Sequence, residues 1–336
     1  MFNNKVILIT GGTGSFGKKF TERIFRDYNP KKIIIYSRDE YKQFVMKQKF
    51  AKFNDKIRYF IGDVRDKERL YRAFKGVDYV IHAAALKQVP ACEYNPFEAV
   101  KTNIHGAQNI VDAAIDEGVK KVVALSTDKA VNPINLYGAT KLASDKLFIA
   151  ANAYSGEKST AFSVVRYGNV AGSRGSVIPF FKMLIDNKKE LLPITDNRMT
   201  RFWITLDEGV DLVFKAMKES VGGETYISKI PSFKILDLAN AMIQLENKDI
   251  KTKEIGIREG EKLHEVMVTE YDSFNTYEYD KHYIIFPHFD WWTTSIETIK
   301  DGKLVKDFFK YASDNNTEWL SVEELKKRIK DIDIVF

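Results

Sequence analysis

A single cysteine, Cys92, stands among 336 residues, so no intramolecular disulfide framework is available and no cysteine cluster can hold a metal. A lone thiol of this kind reads as a small buried residue rather than a nucleophile. Histidine is scarce too, and His82, His105 and His264 are too scattered along the chain to suggest a metal site, so no metal is expected. Long apolar runs are missing. The stretch 6–10 is stopped at once by Gly11 and Gly12, and no later run approaches the length of a membrane span, which leads to the expectation of a cytoplasmic protein with no membrane partner. There is no basic tail either: 52 lysines and arginines are interspersed with 46 acidic residues. The Lys-Lys-Arg cluster at 326–328 sits beside Glu323 and Glu324 like a solvated helix face, so no nucleic-acid partner is expected. The residual charge of +6 suits a small anionic, phosphate-bearing substrate.

What is present is an ordinary globular composition in a chain long enough for one sizeable core with an appended lobe. Short β-branched runs at 6–10, 32–36, 57–61, 79–82, 121–125 and 162–166 alternate with longer amphipathic stretches, the pattern of strand-helix-strand units. Runs that are apolar on both faces expect helices above and below, hence an α/β fold with a Rossmann doubly wound parallel sheet. Beyond about residue 170 the pattern loosens. A helix is expected over 207–220, a short strand over 225–228 and a charged helix over 321–330, with aromatics including Phe286, Phe289, Trp291 and Trp292 between them. The division that follows is a dinucleotide-binding domain over 1–170. Residues 171–336 form mainly a smaller α/β substrate-binding lobe, with part of 205–230 returning to the sheet.

Ligands of such a sheet lie outside the carboxyl ends of its strands. The first strand runs straight into Gly11-Gly-Thr13-Gly14-Ser15-Phe16-Gly17, which opens a helix, and that context turns a glycine triplet into a pyrophosphate-binding loop. The second strand ends in Ser37, Arg38 and Asp39, with Lys42 following. A hydroxyl donor and a guanidinium there favour the 2′-phosphate of NADP, the expected cofactor, unless Arg38 merely pairs with its acidic neighbours. Asp63, followed by Val64, is placed either to accept from an adenine amino group or to cap a turn. Ala83, Ala84 and Ala85 leave room for a flat cofactor, or form a small-residue packing strip.

The most informative stretch is 126–141. Tyr137 and Lys141 are four apart and share one face of a helix, so the lysine ammonium is expected to favour the phenolate and lower the phenol pKa. That makes a base for a sugar or alcohol hydroxyl.

These motifs together resemble the extended short-chain dehydrogenase/reductase superfamily. In particular, Gly-Gly-Thr-Gly-Ser-Phe-Gly, Tyr36-Ser-Arg-Asp-Glu, Ala83-Ala-Ala-Leu-Lys-Gln-Val-Pro, Ser126-Thr-Asp-Lys-Ala and Asn135-Leu-Tyr-Gly-Ala-Thr-Lys look like the inverting UDP-N-acetylglucosamine 4,6-dehydratases of pseudaminic acid synthesis. The likeness runs on through Val165-Arg-Tyr-Gly-Asn-Val, Gly172-Ser-Arg-Gly-Ser-Val, Pro193-Ile-Thr-Asp, Met199-Thr-Arg-Phe-Trp-Ile and Gly256-Ile-Arg-Glu-Gly-Glu-Lys-Leu-His-Glu, and so covers nearly the whole chain. Gln88 departs from relatives that carry histidine beside the lysine, which leaves fold and chemistry intact but blurs subtype.

A dehydratase needs more than the tyrosine and lysine of any reductase of this type. Oxidation at C4 acidifies the C5 proton, after which a base must take that proton and an acid must protonate the leaving C6 oxygen. The resemblance implies that Tyr137 deprotonates the C4 hydroxyl, Lys141 binds the nicotinamide ribose, Lys129 takes the C5 proton, Asp128 protonates the C6 oxygen and Thr127 bonds the C4 oxygen. It further implies substrate contacts from Lys87, Asn169, Val177, Thr195, Arg201, Arg258 and Glu261. Arg201 and Arg258 are expected on phosphates, and Glu261 either on ribose hydroxyls or paired with Lys262. The implied substrate is UDP-N-acetylglucosamine, the implied product the C5-inverted 4-keto-6-deoxy sugar, and the implied assembly a homo-oligomer, dimer or hexamer. A C5-retaining dehydratase, a C4 epimerase and a non-catalytic dinucleotide-binding regulator are the competing readings.

Overall fold

In the computed structural model, which describes residues 1–156, 160–289, 292, 296–332 and 334, strands and helices alternate through the first half. They are β1 (Val6–Thr10), α1 (Ser15–Asp27), β2 (Lys32–Ser37), α2 (Glu40–Lys49), β3 (Ile57–Ile61), α3 (Lys67–Phe74) and β4 (Tyr79–His82). Short helices α4 (Val89–Tyr94) and α5 (Pro96–Val100) lead through a π-helical turn, Lys101–His105, into α6 (Gly106–Asp116), followed by β5 (Lys121–Thr127), α7 (Leu136–Ala150) and β6 (Ala161–Tyr167). The expected strands all form, three of them (β2, β5 and β6) longer at the ligand edge than the apolar runs alone indicate.

The reason is visible in β1. Ile7 and Ile9 pack into one core while Leu8 packs into the other, and all three are fully buried. A strand apolar on both faces is stable only between two helical layers. Contacts place α1 beside α9 (Leu206–Glu219) and α3 beside α6 beside α7.

The second half adds α8 (Val177–Asp186), β7 (Leu191–Ile194), β8 (Thr200–Phe202), β9 (Thr225–Ser228), β10 (Ser232–Lys234), α10 (Ile235–Glu246), β11 (Lys251–Glu254) and β12 (Val266–Val268). Beyond these lie β13 (Thr276–Glu278), β14 (His282–Ile285), β15 (Lys303–Leu304), β16 (Tyr311–Ala312) and a final helix, Val322–Lys330. Among the described residues one sheet runs β15-β13-β14-β9-β6-β5-β4-β1-β2-β3, parallel from β9 to β3 and antiparallel at the β14, β13 and β15 end. The domain division therefore needs correction: besides β9, strands β13, β14 and β15 also return to the main sheet. The lobe proper packs α8, α10 and the final helix around Phe181, Trp203, Phe233 and Leu238, with strand pairs β7–β11 and β8–β10 at its side. Phe286 is buried, and the Trp292 indole donates to the Gly222 carbonyl at 2.7 Å. Trp291 lies outside the described residues. Among those residues no helix is long and apolar enough to cross a membrane.

Candidate active site

At the end of β1, Gly11 turns with φ +63°, and a Cβ there would stand 2.9 Å from the Ala84 Cα. Gly17, in the first turns of α1, packs so closely on the loop that a Cβ would fall 2.3 Å from the Gly12 carbonyl oxygen. Gly14 caps α1 without any side-chain acceptor, and the first turn carries no acid. Free amides and an uncompensated positive helix end remain, which fit the pyrophosphate of a dinucleotide. Thr13 is buried in this loop and Phe16 stacks on Phe20.

The neighbouring strand ends are tied together. Ser37 is buried and its hydroxyl accepts from Gln43 Nε2 at 3.0 Å, leaving its own proton to donate. Asp39 caps α2 by accepting from the Lys42 amide at 2.9 Å and pairs with the Lys42 ammonium at 2.5 Å. Arg38 is half exposed and lies 3.6 Å from Asp63. Asp63 is not a free acceptor: its carboxylate takes the Arg65 amide at 3.0 Å and the Arg65 guanidinium at 2.7 Å, the turn-capping alternative. Burial works against its charge, but Arg65 and Arg38 hold it below the usual carboxylate range. Val64 is buried, its carbonyl accepting from Asn109. The Ala83 and Ala84 amides both donate to Thr10 Oγ1, at 3.1 and 3.3 Å, which fixes the small-residue segment through Ala85 against β1.

At the end of β5, Thr127 accepts from the Lys129 amide at 3.3 Å and starts a tight 3₁₀ turn, Asp128–Ala130. Asp128 is wholly buried. Its Oδ1 accepts from Thr127 Oγ1 at 2.9 Å and from Lys129 Nζ at 3.1 Å, while Oδ2 has no partner among the described residues. Burial and the nearby Glu265 raise the Asp128 pKa, although Lys129 opposes them. Lys129 Nζ also meets Glu265 Oε1 at 3.2 Å and Asn169 Oδ1 at 3.4 Å. Burial disfavours its charge, but Asp128 and Glu265 together raise its pKa well above the ordinary lysine range. The pair thus holds protons more tightly than either group would in water.

Tyr137 and Lys141 take their places on α7. The helix can lie against the 3₁₀ turn only because residue 138 is glycine; a Cβ there would sit 2.1 Å from the Lys129 carbonyl oxygen. Asn135 caps α7 by accepting from the Gly138 amide at 2.8 Å and reaches across to donate to the Gly260 carbonyl at 2.7 Å, joining the helix to the lobe. The expected lowering of the phenol pKa does not occur. Burial pushes the Tyr137 hydroxyl up to about 12, and the cation opposing it is Lys129, helped by a hydrogen bond with Thr127. Burial lowers the pKa of Lys141, against the opposing charge of Asp145 four residues further along the helix. Asp145 in turn accepts from Ser126 Oγ at 2.5 Å.

Among the expected substrate contacts, Lys87 and Asn169 lie at the strand ends near Lys129. Lys87 donates to the Arg174 carbonyl at 3.0 Å, and desolvation with the charge of Lys129 lowers its pKa. Val177 opens α8 and Thr195 is buried just after β7, both in the lobe. Arg201 does not present a free fork. It is buried, donates to the carbonyls of Thr200, Leu263 and Lys262 at 2.7, 3.1 and 3.0 Å, and lies 3.6 Å from Glu265. Arg258 and Glu261 pair with each other at 2.5 Å, while Lys262 donates to the Val131 carbonyl, so Glu261 takes Arg258 rather than Lys262 as its partner.

Sequence reasoning missed Glu265, which belongs to this cluster from the far lobe. The available signal was an acid at the end of Gly-Ile-Arg-Glu-Gly-Glu-Lys-Leu-His-Glu, directly before a fully buried Val-Met-Val strand. It also missed Asn103 on the π-helical turn, a backbone irregularity frequent at functional sites. Asn103 clamps both the amide and the carbonyl of Leu86 and donates to Thr140 Oγ1 at 3.0 Å, fixing the strand end to α7.

The chain is similar over most of its length to several known proteins. An inverting UDP-N-acetylglucosamine 4,6-dehydratase of Campylobacter jejuni subsp. jejuni serotype O:23/36 (strain 81-176) is 58% identical over 330 residues, 97% of each chain. A UDP-glucose 4-epimerase of Rickettsia akari is 41% identical over 341 residues, 100% of this chain and 98% of that one. The crystal structure of Pen from Bacillus thuringiensis superposes with a TM-score of 0.90 at 41% identity, covering 98% of both chains. A dTDP-glucose 4,6-dehydratase from Streptomyces venezuelae, solved with NAD, has a TM-score of 0.69 at 22% identity over 77% of this chain and 86% of that one, a likeness of fold. The family model described as polysaccharide biosynthesis protein matches residues 7–287, and the chain belongs to that family, within the extended short-chain dehydrogenase/reductases.

Proposed function

We propose that this protein is a UDP-N-acetylglucosamine 4,6-dehydratase that inverts C5, giving UDP-2-acetamido-2,6-dideoxy-β-L-arabino-hex-4-ulose. The observation that carries the reading is the pair of the wholly buried Asp128 with the partly buried Lys129 at the end of β5, beside Tyr137. An epimerase needs the tyrosine and lysine of α7 but has no use for an additional acid and base.

The 11–17 loop, Ser37, Arg38 and the 83–85 segment would hold an oxidised nicotinamide cofactor, which would take hydride from C4 and return it to C6. NADP is the form we assign, from the Ser37 hydroxyl and the half-exposed Arg38 at the end of β2.

The protein's own groups manage the protons. To receive the C4 hydroxyl proton Tyr137 acts as its phenolate, the form that the Lys129 charge and Thr127 favour against burial. Burial raises the Asp128 pKa, which suits its carboxylate to taking up a proton and then giving it to the departing C6 oxygen, as Asp128 does in this reading. Transfer of one proton from Lys129 Nζ to Asp128 across 3.1 Å converts an ammonium and a carboxylate into an amine base and a carboxylic acid. Taking the C5 proton and releasing one to the C6 oxygen restores the ammonium and the carboxylate, so the pair ends each elimination as it began. The product fits pseudaminic acid synthesis and flagellin glycosylation in the cytoplasm. A homo-oligomer, dimer or hexamer, accords with exposed Tyr94 and Phe97 on α4 and α5.

The test is product NMR after incubation of the protein with UDP-N-acetylglucosamine in deuterated water. A 4-keto-6-deoxy sugar of L-arabino configuration with deuterium at C5 is expected; a C4 epimer alone would reject the assignment. Lys129→Ala is expected to abolish dehydration while nucleotide remains bound.

A further inference from the structure

Glu265 is a buried acid that no step above uses. It is 2% exposed and enters the site from the segment before β12, in the opposite lobe from Lys129. Its backbone is pinned on both sides by Ser313, whose Oγ accepts from the Glu265 amide at 2.9 Å and whose own amide donates to the Glu265 carbonyl at 2.8 Å. One carboxylate oxygen, Oε1, stands 3.2 Å from Lys129 Nζ and 3.6 Å from Arg201 Nε; the other has no partner among the described residues. Arg201 spends its other donors on backbone carbonyls, so the short contact of Glu265 is the one to Lys129.

A buried carboxylate carries a heavy desolvation cost and persists only against a matched positive charge. Here it meets a lysine whose charge must change during the proposed reaction. Lys129 has three donor directions, and Asp128, Asn169 and Glu265 occupy them. When a proton passes to Asp128, the contacts of Nζ with Asn169 and Glu265 still hold the amine in place. When Lys129 takes the C5 proton, the fixed charge of Glu265 balances the ammonium that forms.

We infer that Glu265 is the positioning residue for Lys129, orienting its amine and supplying the constant negative charge against which it cycles. This inference rests on the dehydratase reading. Seven groups set the titration of the cluster: Asp128, Lys129, Glu265, Arg201, Lys262, Tyr137 and Lys87. Removing one negative charge makes every proton on the Asp128–Lys129 pair easier to lose. Both limbs of its pH–rate profile must then move to lower pH.

The experiment uses the full chain with UDP-N-acetylglucosamine and compares Glu265→Gln and Glu265→Asp with the unsubstituted protein. In Glu265→Gln, deuterium uptake at C5 is expected to fall by at least about tenfold more than C4 oxidation, read as transient reduced nicotinamide, and both limbs shift acidward. Glu265→Asp keeps the charge, so the limbs return while C5 exchange stays slow. Limbs that do not move in Glu265→Gln, or half-reactions that fall together, overturn the inference. Should Glu265→Gln fail to fold, Glu265→Asp decides alone: equal loss in both half-reactions rejects the positioning role. An unsubstituted chain that forms no keto sugar sinks the dehydratase reading itself, an outcome separate from any of these.

Discussion

The two halves of the ligand edge are built by different physics. At the ends of β1 and β2 the contacts are short-range and largely backbone: a left-handed Gly11, a Gly17 that lets helix and loop touch, and charged side chains such as Arg38 that stay half in water. At the ends of β5 and β6 the groups that matter are charges wholly or mostly withdrawn from water, and they come from both lobes: buried Asp128 and partly buried Lys129 from the sheet, buried Glu265 and Arg201 from beyond it. In the first region shape decides and charge is screened; in the second charge decides, because little water is there to screen it. A backbone change should therefore be ruinous at the nucleotide edge, and a charge change at the catalytic edge.

The largest effect is expected from Gly17→Ala. The added methyl would meet the Gly12 carbonyl oxygen at 2.3 Å and the Gly12 Cα at 2.5 Å, both main-chain atoms that cannot rotate away. Loop and helix must separate, and with them the amides aimed at the pyrophosphate. Purified Gly17→Ala should carry no dinucleotide and melt several degrees lower in a thermal scan, by the roughly 1–3 kcal/mol that overpacking costs. A variant that keeps its cofactor would show that this edge tolerates a change of shape.

Next comes Asp128→Asn, which removes a charge without changing shape. Dehydration should fall by about 10²–10⁴-fold, the range for loss of a general acid, while the melting temperature barely changes because the amide still fills the site. Rate and melting point measured on one preparation separate the two effects. A loss of less than about tenfold would take Asp128 out of the acid's role.

The same contrast governs what was legible in the residues. Strands β1 to β6 read correctly because a run apolar on both faces belongs between two layers of helices, and Ile7, Leu8 and Ile9 do alternate between the two cores. The antiparallel end read poorly. Strands β13 and β14 have three and four residues with mixed polarity, too short for a periodicity to declare itself, so 276–304 was assigned to the lobe. In the site, neighbours in sequence such as Asp128 and Lys129 could be paired by inspection. Glu265 could not, since its approach depends on how one lobe folds over the other. Lys141 shows the limit of spacing arguments: Tyr137 and Asp145 both lie four residues from it, and the charge of Asp145, not Tyr137, is what opposes the loss of its ammonium by burial. Spacing assigns a face of the helix; tertiary charge assigns the partner.

The smallest effect is expected from Arg38→Ala, and it tests the nucleotide edge from the charge side. Arg38 is half exposed and its 3.6 Å approach to Asp63 is an ordinary solvent-screened pair, so the change in stability should stay below about 1 kcal/mol. Asp63 loses little, because Arg65 supplies its closer partners. What the substitution removes is the one guanidinium at the end of β2 available to a 2′-phosphate. Binding measured by fluorescence titration should then weaken for NADP by about tenfold, roughly 1.4 kcal/mol, and stay the same for NAD. Equal weakening of both, or of neither, would mean that the acids following β2 rather than Arg38 choose the cofactor, and the assignment of NADP would fall with the pyrophosphate loop left untouched.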